Sequence, residues 1–165
     1  MNNFKDIEKE LDNLLPNTSP VLVGLGNPDR ADDGFGIELV GRLKKSFSDI
    51  IFSELEKAVE GIVYDFLESQ FDVLIFADAV HFKGIPGELK IFKSKDIDRF
   101  VSPISTHKVP MSLLMGLIQE GKKSSYLLGV QPGSIEFRGD MTPEVGSSID
   151  FLEGYFKKFF QENFS

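Results

Sequence analysis

The sequence predicts an α/β protein, a three-layer α/β/α sandwich built on a mainly parallel, twisted central sheet. Three observations carry that expectation. Apolar runs of strand length alternate along the chain with segments whose apolar residues recur every three or four positions. The run FDVLIFADAV, Phe71 to Val80, is apolar on both faces, as a strand covered by helices on each side has to be. The stretch VLVGLGNPDRADDGFG, Val21 to Gly36, passes from a strand through a glycine-rich, acid-bearing turn into a helical pattern, which is where open α/β sheets place their chemistry.

Taken in order, Phe4, Ile7, Leu11 and Leu14 stand three and four apart and predict an amphipathic helix over residues 3 to 15, ended by Pro16. Val21 to Leu25 is the first strand. Beyond the turn, Phe35, Leu39, Val40 and Leu43 form one helical face, and Arg42, Lys44 and Lys45 suit the negative end of that helix dipole. Ile50 to Leu55 reads as a second strand, and Ile62, Val63, Phe66 and Leu67 as the next helix. Phe71 to Val80 belongs in the sheet centre, its buried course ending at Asp78. GELKIFK, after the turn at Gly84 to Gly87, alternates apolar and charged residues as an edge strand or hairpin arm does. Lys95 to Val101 suits a short helix, and VSPISTH is an irregular segment leading to His107. Pro110 sits where a helix with the stripe Met111, Leu114, Met115, Ile118 should begin. Tyr126 to Val130 is the last strand. A loop, QPGSIEFRGDMTPEV, leads to a C-terminal helix whose Phe151, Tyr155, Phe156, Phe159 and Phe160 are expected to cover the sheet.

Composition bounds the function. The 165 residues suit a single domain, with residues 1 to 16 as an N-terminal helical extension. A net charge of -8 argues against nucleic acid or an anionic membrane as the main partner, and the basic pairs Lys44-Lys45 and Lys122-Lys123 read as solvated helix ends. The chain has no cysteine, which excludes a thiolate nucleophile and a thiolate metal site. No run approaches the roughly 20 apolar residues of a membrane span, and the acid-bearing N-terminus does not read as a signal peptide. The expectation is a cytoplasmic protein without membrane insertion.

The topology gathers a candidate site. Asp32 and Asp33 follow the first strand, Asp78 ends the central strand, and neighbouring parallel strands deliver both groups to one edge of the sheet. His107, in its polar loop, is within reach of the same crevice. Two carboxylates and an imidazole make a three-ligand site for a divalent borderline metal with positions open to water or substrate. Each member also has a structural reading: Asp32 or Asp33 as a cap of the following helix, Asp78 as a hydrogen-bond partner of the glycine-rich loop, His107 as an ordinary loop histidine. His81, three residues past Asp78, is equally acceptable on chemistry. A dinucleotide loop does not fit, because Gly24-Leu25-Gly26 runs into Asn27, Pro28 and Asp29, so the third glycine is missing and acids occupy the place of a pyrophosphate.

The patterns GLGNPDRADDGFGIELV, FADAV, IPGELKIF, STHKVPMSLL and LLGVQPGSIEFRGDMTPEV occur in order from about Val21 to the C-terminal helix, and together they resemble the hydrogenase maturation endopeptidases. STHKVP looks most like the branch serving formate-hydrogenlyase and energy-converting hydrogenases. The resemblance implies a nickel-dependent protease that removes a C-terminal peptide from a nickel-loaded [NiFe] hydrogenase large-subunit precursor, with nickel presented by that substrate and other divalent metals able to substitute. It matches the family's metal-binding and catalytic trio to Asp33, Asp78 and His107, leaves Asp32 as a helper or cap, and leaves His81 outside the ligand set. Pro28 and Asp29 depart from the apolar residues of many members. Two other readings compete: a non-catalytic nickel-sensing chaperone of the precursor, and a small binding domain whose acids only cap helices. VLVGLGNP is also similar to the opening of peptidyl-tRNA hydrolases, but the stretch that should hold their catalytic histidine is acidic here.

Overall fold

The computed structural model describes residues 2–100 and 109–164, with the Phe100 side chain left aside. Its elements are α1 (Phe4–Leu14), β1 (Pro20–Gly24), α2 (Phe35–Lys44), β2 (Ile51–Ser53), α3 (Val59–Glu68), β3 (Val73–Ala79), β4 (Leu89–Phe92), α4 (Ile97–Phe100), α5 (Met111–Glu120), β5 (Ser124–Val130) and α6 (Pro143–Phe164). Short 3₁₀ turns at Ala31–Gly34 and Ser94–Asp96 lead into α2 and α4. The sheet order is β2-β1-β3-β5-β4. All neighbours are parallel except the edge strand β4, which runs antiparallel to β5. The expected mainly parallel α/β architecture is therefore the one observed.

The connections between parallel strands carry helices onto two faces of the sheet. On one face α2 packs beside α6, and α6 beside α1; on the other α3 meets α5. β3 lies at the centre with every residue buried, which accounts for the two-sided apolar pattern of VLIFADA. β2 is shorter than the Ile50–Leu55 run, because only Leu22, Val23 and Gly24 of β1 pair with it. The close packing of α2 on the sheet depends on two glycines. A Cβ at Gly24 would lie 2.3 Å from the Gly36 carbonyl oxygen, and one at Gly36 would lie 2.0 Å from that of Ala77.

α1 is part of the core, with Ile7, Leu11 and the following Leu15 almost fully buried. Asn3, just before it, uses its side-chain amide as a strand would: Nδ2 donates to the Leu89 carbonyl at 2.7 Å, and Oδ1 accepts the Leu89 N–H at 3.1 Å. That closes the first rung of the outer edge of β4. The aromatic face of α6 divides its contacts. Phe156 and Phe160 are fully buried, Phe160 meets Phe47, Phe151 stacks on Phe4 at 4.6 Å, and the Tyr155 hydroxyl donates to Asp12 of α1. The helix thus seals α1 and α2 as well as covering the core. Arg42 joins α2 to α6 by donating to Asp150 and Glu153 while also pairing with Glu38.

Lys123 is not a solvated helix end. Its half-buried ammonium donates to the carbonyls of Phe66 (2.7 Å) and Ser69 (2.6 Å) and lies 4.8 Å from the Phe66 ring centroid. It satisfies the C-terminal carbonyls of α3, where a cation also meets the negative end of the helix dipole.

Candidate functional site

The turn after β1 is built around Gly26. The ladder toward β3 ends where the Leu25 N–H donates to the Ala77 carbonyl at 2.9 Å, and the chain then turns at Gly26 with φ +118°. An L side chain is strained at that φ, and there is no room for one: a Cβ would lie 2.1 Å from the Asp33 carbonyl oxygen and 3.2 Å from Asp78 Oδ1. The backbone of Asp33 and the carboxylate of Asp78 therefore close on the same residue. The Asn27 N–H donates to both the Asp33 carbonyl (3.1 Å) and Asp33 Oδ2 (3.2 Å). Asn27 Oδ1 in turn accepts the Asp29 N–H at 2.9 Å, closing the Asn27–Asp29 corner on which Pro28 sits.

Asp78 is the penultimate residue of β3, 7% exposed, with Oδ1 accepting the Ala79 N–H at 2.8 Å. Asp33 is half-buried. The sequence expectation that neighbouring strands bring these acids to one edge is met, since β1 and β3 pair in register from Pro20↔Val73 to Gly24↔Ala77. This edge is also the switch point of the sheet, where the chain leaves β1 toward β2 on one side while β3 lies on the other.

Asp32 is not the helix cap that the sequence offered as one of its roles. It is fully buried and caps no helix: α2 starts from Gly34 without a side-chain cap. Its carboxylate instead accepts four hydrogen bonds from the loop after β5. Oδ2 takes the N–H groups of Gly133 (2.7 Å) and Ser134 (3.1 Å) and the Thr142 hydroxyl (2.8 Å), while Oδ1 takes the Thr142 N–H (2.8 Å). The Asp32 N–H returns a bond to the Ser134 carbonyl, and the Arg138 N–H donates to the Asp29 carbonyl. Asp32 thus ties the acidic turn to the 131–142 loop. Asp33, one residue on, presents its carboxylate toward Asn27 rather than capping α2.

His81 is exposed, and its Nδ1 lies 3.1 Å from Gln131 Nε2. Gln131 is a buried polar residue missed by sequence reasoning. Its Oε1 accepts the N–H groups of Phe82 (2.9 Å) and Gly84 (3.1 Å), holding the β3–β4 connection against the end of β5. His107 lies outside the described residues. Helix α5 begins four residues later at Met111, capped by Pro110, and returns through a short turn to the start of β5. A helix that precedes a parallel strand so closely runs antiparallel to it, so its N-terminus lies toward the edge where Asp33 and Asp78 meet.

A second residue missed by sequence is Glu54. It follows β2 directly, its N–H donates to the Gly24 carbonyl at 3.1 Å, and its half-buried carboxylate accepts the Gly26 N–H. The signal that marked Asp78, an acid at the carboxyl end of a parallel strand, was present here as well. Among the described residues no three His, Asp or Glu side chains converge to hold a metal ion. Asp33 and Asp78 supply two oxygen donors, the donor chemistry a hard or borderline divalent cation accepts, and a complete set needs a further ligand.

The chain is an open α/β protein with carboxylates gathered at the switch point of its sheet, and with acids where a nucleotide phosphate would lie. Comparison with known proteins gives the class a family. Residues 54–156, more than half of the chain, match the hydrogenase maturation protease family (HycI), and the chain belongs to it. It is 28% identical over 138 residues to the hydrogenase expression/formation protein HupD of Thiocapsa roseopersicina, a match covering 78% of this chain and 62% of that protein. It is 26% identical over 140 residues to the hydrogenase 3 maturation protease of Escherichia coli K12, covering 82% and 89%. The fold superposes on the crystal structure of the [NiFe] hydrogenase maturation protease HycI from Thermococcus kodakarensis KOD1 with a TM-score of 0.76 and 25% identity, covering 94% of this chain and 99% of that one. Among the described residues no helix is long and apolar enough to cross a membrane.

Proposed function

We propose that this protein is an endopeptidase that removes the C-terminal peptide from a nickel-loaded [NiFe] hydrogenase large-subunit precursor, with Asp33, Asp78 and His107 receiving the nickel carried by that substrate. The proposal places this step in the cytoplasm. The observation that carries it is the closure of Asp33 and Asp78 on Gly26, at the switch point of a chain that belongs to the maturation protease family. In support, α5 starts at the same edge, four residues beyond His107.

Asp33, Asp78 and His107 would hold the divalent ion, which would supply Lewis acidity to polarise a peptide carbonyl or activate a water molecule. The work of the chain's own residues is positional. Asp78 is held by the sheet and by the Ala79 N–H, and the Asn27 N–H is shared between the Asp33 carbonyl and its Oδ2, so both carboxylates have a backbone donor that orients them before substrate arrives. The space at Gly26 admits no side chain against the Asp33 backbone and Asp78 Oδ1.

The test uses purified protein and nickel-loaded precursor. Asp33→Asn, Asp78→Asn and His107→Ala are each expected to reduce cleavage to background while the melting temperature stays near that of the parent protein. Normal processing by all three variants would overturn the assignment. Tight capture of the precursor by the parent protein without loss of C-terminal mass would favour a chaperone instead.

A further inference from the structure

We propose that Glu54 is a positioning residue for the acidic pair, its carboxylate holding the turn that spaces Asp33 from Asp78. The inference deepens the proposed metal-holding role of those two residues and rests on it. Glu54 is anchored by the sheet, since its own N–H extends the β2–β1 pairing to the Gly24 carbonyl. From there the side chain reaches past the end of β1 and accepts the Gly26 N–H. The Leu22 N–H donates to Ile50 and the Leu25 N–H to Ala77, so the Gly26 N–H falls on the β2 side just past the end of the β1–β2 pairing, and Glu54 supplies the acceptor that a longer β2 would otherwise provide.

The peptide it grips is the one on which the site depends. The Asp33 carbonyl and Asp78 Oδ1 both crowd the space a Gly26 Cβ would need, and the next N–H, that of Asn27, binds the Asp33 carbonyl and Oδ2. Rotation of this turn would shift Asp33 relative to Asp78. Two other roles for Glu54 fit less well. It does not cap α3, which starts at Val59 from Ala58 without a side-chain cap. It does not complete a three-carboxylate metal site, because no such group occurs among the described residues. Outer partners of this kind orient metal-holding groups without touching the metal.

The experiment measures Ni²⁺ binding to the full chain by calorimetry with nickel chloride, alongside thermal unfolding. Glu54→Met keeps the length of the side chain and removes the acceptor; Glu54→Gln keeps an acceptor oxygen and removes the charge. Loss of an outer partner typically weakens metal binding by about 10- to 100-fold, the range expected for Glu54→Met, with its melting temperature close to the parent's. Glu54→Gln should bind close to the parent affinity. Parent-like binding by Glu54→Met, or a loss in Glu54→Gln as large as in Glu54→Met, would overturn the proposal; the second result would assign the effect to charge and not to the hydrogen bond. Asp78→Asn serves as the control. If it too binds Ni²⁺ normally, the metal-holding role of the pair fails; if it loses binding while Glu54→Met does not, only the role of Glu54 fails.

Discussion

Replacing Asp32 by alanine takes away one buried carboxylate and leaves the N–H groups of Gly133, Ser134 and Thr142 and the Thr142 hydroxyl without their acceptor. Hydrogen bonds to a charged group are worth about 1.5–3 kcal/mol each, but four bonds sharing one carboxylate do not add. Water reaches some of the donors, because Gly133 is exposed and Ser134 and Thr142 are only half-buried. The expected loss is therefore about 3–5 kcal/mol, the scale found when one partner of a buried charged network is deleted. For a chain of this size that lowers the melting temperature by about 6–20 °C. Asp32→Asn is the informative companion. Both oxygens accept backbone N–H groups, so either orientation of the amide turns its NH₂ against a donor, and about 2–3 kcal/mol should still be lost. Urea and thermal unfolding followed by circular dichroism measure both variants. An Asp32→Ala protein melting within about 2 °C of the parent would refute the view that this carboxylate fastens the 131–142 loop to the acidic turn.

Three further outcomes follow from individual contacts. Gly26→Ala places a methyl group against the Asp33 carbonyl and Asp78 at φ +118°, so it should abolish precursor cleavage even where circular dichroism shows a folded protein; normal cleavage would contradict the geometry of the turn. Lys123→Met keeps the packing on Phe66 but removes the donor to two carbonyls, and should cost about 1–3 kcal/mol in urea unfolding, with faster amide exchange confined to the end of α3. Asn3→Ala strips the first rung from the outer edge of β4 and should lower stability by about 1 kcal/mol while raising concentration-dependent association in sedimentation experiments.

What could be read from the chain alone depended on how local the cause was. The α/β alternation and the central position of FDVLIFADAV were legible because burial on both faces leaves a continuous apolar run, and β3 is buried throughout. The convergence of Asp33 and Asp78 was legible because parallel neighbours deliver their carboxyl ends to one edge, and β1 and β3 are neighbours. The division of labour between Asp32 and Asp33 came from the family resemblance alone, and what Asp32 binds was not legible. In sequence they are adjacent acids before a helix, and the partners that make Asp32 structural lie 101 to 110 residues away. Lys123 was misread for the same reason, since its carbonyl partners belong to a helix more than 50 residues earlier. Glu54 escaped notice although it ends a parallel strand, because β2 is a three-residue edge strand whose apolar run alone does not fix its end. The family resemblance selected His107 over His81. The structure adds that His81 faces Gln131, a residue that ties down the β3–β4 connection.

The central claim is that this acidic edge receives a nickel-bearing polypeptide and cuts it. Its most direct test is intact-mass spectrometry of a purified hydrogenase large-subunit precursor incubated with the protein, with and without prior nickel loading. The account predicts loss of a single C-terminal peptide from the nickel-loaded precursor and an unchanged mass for the nickel-free one. A nickel-loaded precursor that keeps its full mass, or a nickel-free precursor cut at the same rate, would contradict it.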